Sequence, residues 1–290
     1  MARPDRRARM RAILAGERCV LMASVFDPIS ARFADALGYE AALVGGSVVS
    51  FAVLGAPDVI VLTLTELAEQ VHRCARVGDV PLLIDGDHGY GNALNVMRTV
   101  EELDHAGAAG VMIEDTLLPR PYGKASAELL AFDESVGKIK AAVAARGDSD
   151  VLVLGRTGAA SITGVDDAIA RFRAYEAAGV DGLFIPALRT REELDRIAQA
   201  TRAPLVVGGA AESLADPGYL ASRRVRLWSG GHHSFNVAVQ ALHDAMKATR
   251  DGTLSSRLPG IASKTLMDRA TGAAEYDART REFLGGRHAE

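Results

Sequence analysis

The stretch of this 290-residue chain that decides its fold reads Val80-Pro81-Leu82-Leu83-Ile84-Asp85-Gly86-Asp87-His88-Gly89-Tyr90-Gly91-Asn92. A short apolar run followed at once by turn residues is typical of a strand buried on both faces of a parallel sheet. Side chains two residues apart on a strand point to the same side, so Asp85 and Asp87 can face one cation. Oxygen ligands of this kind suit Mg2+ or Mn2+ better than zinc. For this segment taken alone, an Asp-Gly turn that merely closes a strand is the alternative.

Two further apolar runs end in charged residues. Val111-Met112-Ile113 leads into Glu114, and Val151-Leu152-Val153-Leu154-Gly155 leads into Arg156. If these runs are neighbouring parallel strands, Asp85, Asp87 and Glu114 meet at one rim of the sheet. Acids at two strand ends and a cation at a third predict a charged pocket, suited to an anionic substrate that is chelated to a metal ion.

The same helix-to-strand pattern recurs along the chain. Helices that end in Gly38, Gly107 and Gly179 each lead through a short link into an apolar strand, which is half of a βα repeat. Thr63 and Glu66 form a capping box at the start of another helix. Eight βα units predict a TIM (β/α)8 barrel, and a doubly wound open sheet is the alternative. The predicted strands are Cys19–Val25, Ala41–Gly45, Pro81–Asp85, Gly110–Glu114, Val151–Arg156, Gly182–Pro186, Pro204–Val207 and Val225–Ser229.

Composition limits the class of protein. Hydrophobic residues make up 48% and charged residues 24% of the chain, as in soluble globular proteins. The net charge of −4 gives no support to a nucleic-acid partner. No apolar stretch approaches the ~18 residues of a membrane span, and the basic N-terminus lacks the apolar region of a signal peptide, so a basic first helix is expected. Cys19 and Cys74 do not indicate a disulfide framework, and the expected compartment is the cytosol.

The end of the chain differs from the rest. No linker is evident before Asp251-Gly252, and a polar helical tail follows. We therefore expect a catalytic barrel over residues 1–250 and a helical extension over residues 251–290. Such a tail beyond a finished barrel is expected to contact another subunit, although a helix packed on its own barrel is the alternative.

The chain resembles the isocitrate lyase/phosphoenolpyruvate mutase superfamily, and within it the oxaloacetate decarboxylase branch. The superfamily likeness is carried by Ser24–Pro28, Gly45–Ser47, Ala56–Asp58, Asp85–Asn92, Ile113–Asp115 and Gly155–Thr157. The likeness to the branch is carried by Ala93–Val100, Glu114–Pro119 and Gly231–His232. The resemblance implies a TIM barrel that needs Mg2+ or Mn2+ and acts on short 2-oxo acids. It also implies a homo-oligomer, a dimer or tetramer, in which the final helices are exchanged between subunits.

The resemblance also assigns metal-binding residues. Asp85 holds the metal, and Asp87 and Glu114 lie around it, partly through water. Asp58 matches an acid near the water shell of the metal.

A second group of residues is assigned to the substrate. Gly45, Gly46 and Ser47 bind its carboxylate and ketone oxygens, and Arg156 neutralises its charge. His232 lies beside the substrate, where it hydrogen-bonds to it or delivers a proton. These roles suit a decarboxylase, because loss of CO2 from oxaloacetate or a related 2-oxo diacid leaves an enolate whose charge gathers on the C2 oxygen.

Three departures from the superfamily pattern leave other functions open. The loop Arg120–Ser126 lacks the cysteine of the isocitrate lyases, which disfavours their reaction. Gly158 and the pair Gly208-Gly209 stand where polar side chains are usual, which predicts an enlarged pocket or a different acid. One rival is a barrel that binds a phosphorylated substrate through the glycines at the ends of the seventh and eighth strands. A barrel that binds a metal–carboxylate complex without turnover is the other.

Overall fold

Nine short strands run parallel in a single sheet in the computed structural model, which describes residues 5–285. The strands are β1 (Val20–Leu21), β2 (Ala23–Ser24), β3 (Ala42–Val44), β4 (Leu82–Asp85), β5 (Gly110–Glu114), β6 (Leu152–Arg156), β7 (Gly182–Pro186), β8 (Leu205–Gly208) and β9 (Val225–Ser229). β1 pairs with β9 and β2 pairs with β3, and only Met22 separates β1 from β2. The two short pieces therefore act as one strand that closes an eight-stranded barrel.

The predicted TIM barrel is confirmed, and the open-sheet alternative is wrong. Seven of the eight predicted strands agree with the structure to within one residue at each end. The exception is Cys19–Val25, which the structure divides at Met22 into β1 and β2. The division results from strand pairing, because the first half of this segment pairs with β9 whereas the second half pairs with β3.

Thirteen α-helices lie among the described residues, with shorter turns between some of them. They are α1 (Arg6–Ala15), α2 (Pro28–Ala36), α3 (Gly46–Val49), α4 (Leu64–Ala75), α5 (Ala93–His105), α6 (Phe132–Ala145), α7 (Ala159–Ile162), α8 (Val165–Ala178), α9 (Arg191–Ala200), α10 (Pro217–Ser222), α11 (His233–Arg250), α12 (Lys264–Thr271) and α13 (Ala273–Phe283). A π-helical segment, Ser50–Leu54, continues α3, and 3-10 turns cover Glu212–Leu214 and Ser255–Arg257. The predicted capping box at Thr63 is present at the start of α4. Within residues 5–285, no helix combines the length and apolar character that crossing a bilayer requires.

The alternation of side chains along the strands divides the core into two layers. Leu83, Met112, Leu154 and Leu227 point into the barrel, whereas their neighbours along each strand pack outwards against the helices. The same alternation aims the last residue of several strands into the carboxyl-terminal mouth. The residues so placed are Ser24, Asp85, Glu114, Arg156 and Gly208.

The predicted basic first helix is present as α1, and its arginines bind the barrel itself. Arg6 donates to the carbonyl of Ala75 at 2.6 Å, and Arg7 donates to the carbonyl of Asp104 at 3.1 Å. Met10 and Leu14, on the same helix, are buried in the inner layer. The basic charge near the N-terminus is therefore used to close the amino-terminal end of the barrel.

The chain beyond β9 covers the barrel only in part. α11 has no buried side chain, whereas α12 packs against α2. The expected division at residues 250 and 251 falls where α11 ends. It stays a prediction, as does the exchange of helices between subunits. Residues 1–4 and 286–290 of the two expected regions lie outside the described residues.

Candidate active site

A cleft of about 460 Å3 opens at the carboxyl ends of the strands. Six of the predicted site residues line it, together with the loop residues Leu118, Pro119 and Arg120. The six are Ser47, Asp58, Asp85, Asp87, Glu114 and Arg156. The convergence of Asp85, Asp87 and Glu114 expected from the strand ends is thus what the barrel produces.

Arg156 lies between two of the acids. Its Nη1 is 2.5 Å from Asp85 Oδ2, and its Nε is 3.1 Å from Glu114 Oε2. The second contact follows from the sheet, because Glu114 on β5 is the register partner of Arg156 on β6. Burial opposes the charge of the guanidinium, but Asp85 and Glu114 outweigh it, so the pKa of Arg156 is raised above its ordinary value. Arg156 therefore stays protonated and balances part of the acidic charge.

Asp87 occupies a tightly restricted position in the turn after β4. Its φ of 46° lies in the left-handed region, where most side chains are strained. A Cβ added to Gly46 would lie 2.6 Å from both carboxylate oxygens of Asp87, so only glycine leaves room for this carboxylate. Burial, followed by the charges of Asp85 and Glu114, raises the pKa of Asp87 well above its usual range. Burial and Asp85 also raise the pKa of Asp58.

The cleft residues suit a divalent cation by their chemistry. Four carboxylates, those of Asp58, Asp85, Asp87 and Glu114, share the cleft with two cations, the inner Arg156 and the exposed Arg120 of the loop. The excess of negative charge raises the pKa of buried acids and would be relieved by a metal ion. As the side chains of residues 5–285 stand, no three acidic, histidine or cysteine groups form a closed ligand set, and Arg156 lies between two of the candidate ligands. The oxygen-only donors fit Mg2+ or Mn2+.

His232 adjoins the mouth from the opposite side. Its Nδ1 is 2.6 Å from the hydroxyl of Ser24. A Cβ added to Gly45 would lie 2.5 Å from Nε2 of the same ring, so Gly45 provides the space that the imidazole occupies. Burial lowers the pKa of His232, and Asp85 offsets this only in part. The ring is therefore neutral at neutral pH and has one tautomeric proton to place.

Several supporting residues were missed by the sequence reasoning. Lys138, buried on α6, donates to the carbonyl of His88 behind the acidic turn. Asp115, which follows Glu114, is bound by Arg171 at 2.9 Å and by the hydroxyl of Tyr175 at 2.7 Å. Lys138 lies on α6, and Arg171 and Tyr175 lie on α8. Nothing in the spacing of these residues along the sequence distinguishes them from other residues of the same helices, so the sequence did not indicate their contacts with the site. Ser24, the hydrogen-bond partner of His232, could have been predicted from the sequence. Side chains alternate along a strand, so a residue two positions after the inward-facing Met22 also points into the mouth of the barrel.

Comparison with known proteins identifies the family of the chain. The phosphoenolpyruvate phosphomutase family model matches residues 10–250. An oxaloacetate decarboxylase of Paraburkholderia xenovorans (strain LB400) is 64% identical over 97% of this chain and 94% of its own length. An oxaloacetate decarboxylase of Rhodopseudomonas palustris (strain BisB18) is 55% identical over 97% of this chain and 98% of its own length. Among solved structures, a phosphonopyruvate hydrolase in complex with oxalate and Mg2+ superimposes with a TM-score of 0.85 at 28% identity, covering 96% of this chain and 99% of that one.

Proposed function

The chain belongs to the phosphoenolpyruvate phosphomutase family and is a carbon–carbon lyase, and from this premise we propose that it decarboxylates oxaloacetate or a closely related 2-oxo diacid with the help of Mg2+ or Mn2+. The observation that carries the proposal is the cleft at the mouth of the barrel, where four carboxylates surround the guanidinium of Arg156, with the imidazole of His232 beside the cleft and within the electrostatic influence of Asp85. The 64% identity to a protein named oxaloacetate decarboxylase supports the choice of substrate.

We assign the metal to the acidic side of the cleft. Asp85, Asp87 and Glu114 would hold it, and Asp58 would act through water. When bound, a divalent cation supplies Lewis-acid stabilisation of the negative charge that develops on the C2 oxygen of the substrate. The phosphonopyruvate hydrolase structure with oxalate and Mg2+ supports this assignment, because that enzyme shares the fold and the size of this chain.

Arg156 is the residue that we assign to the substrate carboxylate. Its Nη1 and Nε face Asp85 and Glu114, and the same planar group presents Nη2 as a further donor. Burial of the ion pairs holds the guanidinium in place before the substrate arrives. Loss of one preorganised donor of this kind typically costs ~3–4 kcal/mol, or about 100- to 1000-fold in rate. Ser47 and the glycines Gly45 and Gly46 would complete the substrate side.

His232 is proposed as the proton donor. If the Ser24 hydroxyl donates to Nδ1, the proton of the neutral ring stands on Nε2. When the C3–C4 bond of oxaloacetate breaks, its electron pair forms the C2–C3 double bond of the enolate and CO2 leaves. A proton from Nε2 to C3 then gives pyruvate, and solvent restores the proton to the ring.

One experiment tests the function directly. CO2 release is measured from a panel of short 2-oxo diacids with added Mg2+, and again after EDTA. We expect CO2 release from oxaloacetate. EDTA is expected to abolish this release, and oxalate, which mimics the planar enolate, is expected to inhibit it. Release unaffected by EDTA would contradict the metal assignment, and no release from any diacid would reject the decarboxylase. Thermal protection by phosphate without any effect of metal would favour the rival phosphate-binding barrel instead.

The role of His232 has its own test. His232→Gln keeps a hydrogen-bond donor but cannot cycle a proton. We expect turnover to fall by about 100-fold or more. The increase in thermal stability on addition of the metal is expected to be the same as in the wild type. Unchanged turnover would reject the role.

We also propose that the protein is a homo-oligomer. Val239, Leu242 and Met246 are spaced at i, i+3 and i+7 on α11 and are 48%, 61% and 65% exposed. Such spacing places them on one side of the helix, and an exposed apolar face is typical of an interface. The family resemblance predicts that terminal helices of neighbouring subunits exchange there. Light scattering of the protein as it elutes from a size-exclusion column is expected to give the mass of a dimer or tetramer. The double variant Leu242→Glu, Met246→Glu is expected to have a lower mass. A wild-type mass equal to one chain would contradict the assignment.

The cytosol remains the proposed compartment. Cys19 and Cys74 are both free thiols, as is usual in a reducing environment.

A further inference from the structure

A single aromatic ring lies beneath the guanidinium of Arg156. Phe184 on β7 is the register partner of Arg156 on β6, so both side chains point into the barrel. The guanidinium carbon is 5.6 Å from the centre of the ring, and Phe184 is 4% exposed. Among the described residues, it is the only aromatic member of the inner layer. The guanidinium therefore has carboxylates on its flank and an aromatic face below it.

Gly208 on β8 has a direct relation to this ring. A Cβ added to Gly208 would lie 2.5 Å from Cζ of Phe184 and 3.3 and 3.4 Å from its two Cε atoms. The backbone of Gly208 is not in the left-handed region, so conformation alone would admit another residue. Any side chain here would therefore have to displace the ring, because the tip of the ring occupies the space that the added atoms would need.

This contact corrects an expectation from the sequence. Gly208 was expected to enlarge the pocket or to leave room for phosphate, because polar side chains are usual at this strand end. At Gly208 the space that a side chain would take is instead filled by the ring of Phe184, so this glycine does not itself leave an empty pocket. The other expectation, that a different acid binds, stays a prediction.

We propose that Phe184, interlocked with Gly208, is a positioning residue that holds the Arg156 guanidinium at the height and angle at which it meets the anionic substrate. The proposal rests on the function proposed above. A ring that cannot tilt towards β8 restricts the guanidinium, and a buried cation–π contact favours its planar stacking. Removal of the ring leaves Arg156 with its two carboxylates but frees it to drop into the space below. A loss of roughly 3- to 30-fold in kcat/KM follows from the energies usual for such contacts.

A first double-mutant cycle tests the interlock. Gly208→Ala is expected to push the ring and to lower kcat/KM by about 10-fold. In a Phe184→Leu background the same alanine enters vacated space, so its further effect is expected to be under about 3-fold. Gly137→Ala is the matched control, because the added methyl meets nothing within 4 Å on α6. Additive effects of Gly208→Ala and Phe184→Leu would overturn the interlock.

A second cycle separates positioning from a general role in folding. Phe184→Leu is measured in the wild type and in an Arg156→Lys background, where the planar group is gone. We expect kcat to fall more than KM rises in the wild-type background, and little further loss in the lysine background. An equal loss in both backgrounds, or a loss confined to thermal stability, would overturn the proposal.

Failure of the function and failure of the inference remain distinguishable. If the wild type decarboxylates no diacid, the affinity for oxalate in the presence of Mg2+ is measured by calorimetry for every variant of the same two cycles. Coupling of Phe184 to Arg156 and Gly208 in that affinity would uphold the positioning role, and its absence would reject it.

Discussion

Removal of the Arg171 charge is expected to destabilise the barrel strongly. Arg171 and Asp115 are 6% and 1% exposed, and their ion pair is 2.9 Å long. Arg171 also donates to the hydroxyl of Ser135 at 3.0 Å and to the carbonyl of Leu130 at 3.2 Å. Arg171→Met keeps most of the side-chain volume but leaves the buried Asp115 with Tyr175 as its remaining donor. The loss of one partner from a buried pair costs ~3–5 kcal/mol.

The assay is urea unfolding at fixed protein concentration, followed by far-UV circular dichroism and by the fluorescence of Trp228, the only tryptophan in the chain. Coincidence of the two transitions permits a free energy of unfolding to be derived. Arg279→Met is the matched control, because it breaks an exposed pair with Glu275 on α13 that is worth ~0.2–0.5 kcal/mol.

The reasoning is refuted by a small effect. If Arg171→Met lowers the free energy of unfolding by no more than Arg279→Met does, Asp115 does not depend on its buried partner. A second variant sharpens the result. Arg171→Met combined with Asp115→Leu removes both charges and is expected to recover part of the lost stability, because no unpaired carboxylate remains.

Three further predictions concern separate parts of the molecule. Thr63→Ala removes the acceptor for the Glu66 amide and should cost ~1 kcal/mol, or about 2–4 °C by calorimetry; an unchanged melting temperature would contradict the cap. Ser24→Ala should lower kcat by roughly 2- to 10-fold through loss of the His232 hydrogen bond, whereas Ser24→Thr should retain activity in the same kinetic assay. Burial raises the pKa of Cys19 and of Cys74 to about 12, so thiolate is scarce at pH 8 and iodoacetamide should label neither in the folded protein. Rapid labelling of either cysteine, detected by mass spectrometry, would contradict this prediction, because it would show that the thiol is accessible and ionised.

Local chemistry determined the strands and the character of the mouth. Apolar runs that end in Asp85, Glu114 and Arg156 predict buried parallel strands, and parallel strands carry their carboxyl ends to one rim. For this reason the barrel, the bounds of seven of its eight predicted strands and the acidic cleft were predicted from the sequence, whereas the division of the first strand at Met22 was not. Side-chain alternation is a local property, so it survives whatever the rest of the chain does.

Tertiary structure alone decided which residues touch across the barrel. Ser24 and His232 are 208 residues apart, Phe184 and Gly208 lie on different strands, and Arg171 reaches Asp115 from a helix. In the sequence, Gly45 and Gly208 carried no sign of the rings that exclude a side chain at each position. Such contacts depend on the register between strands and on the angle at which helices pack, and these are set only when the sheet closes on itself.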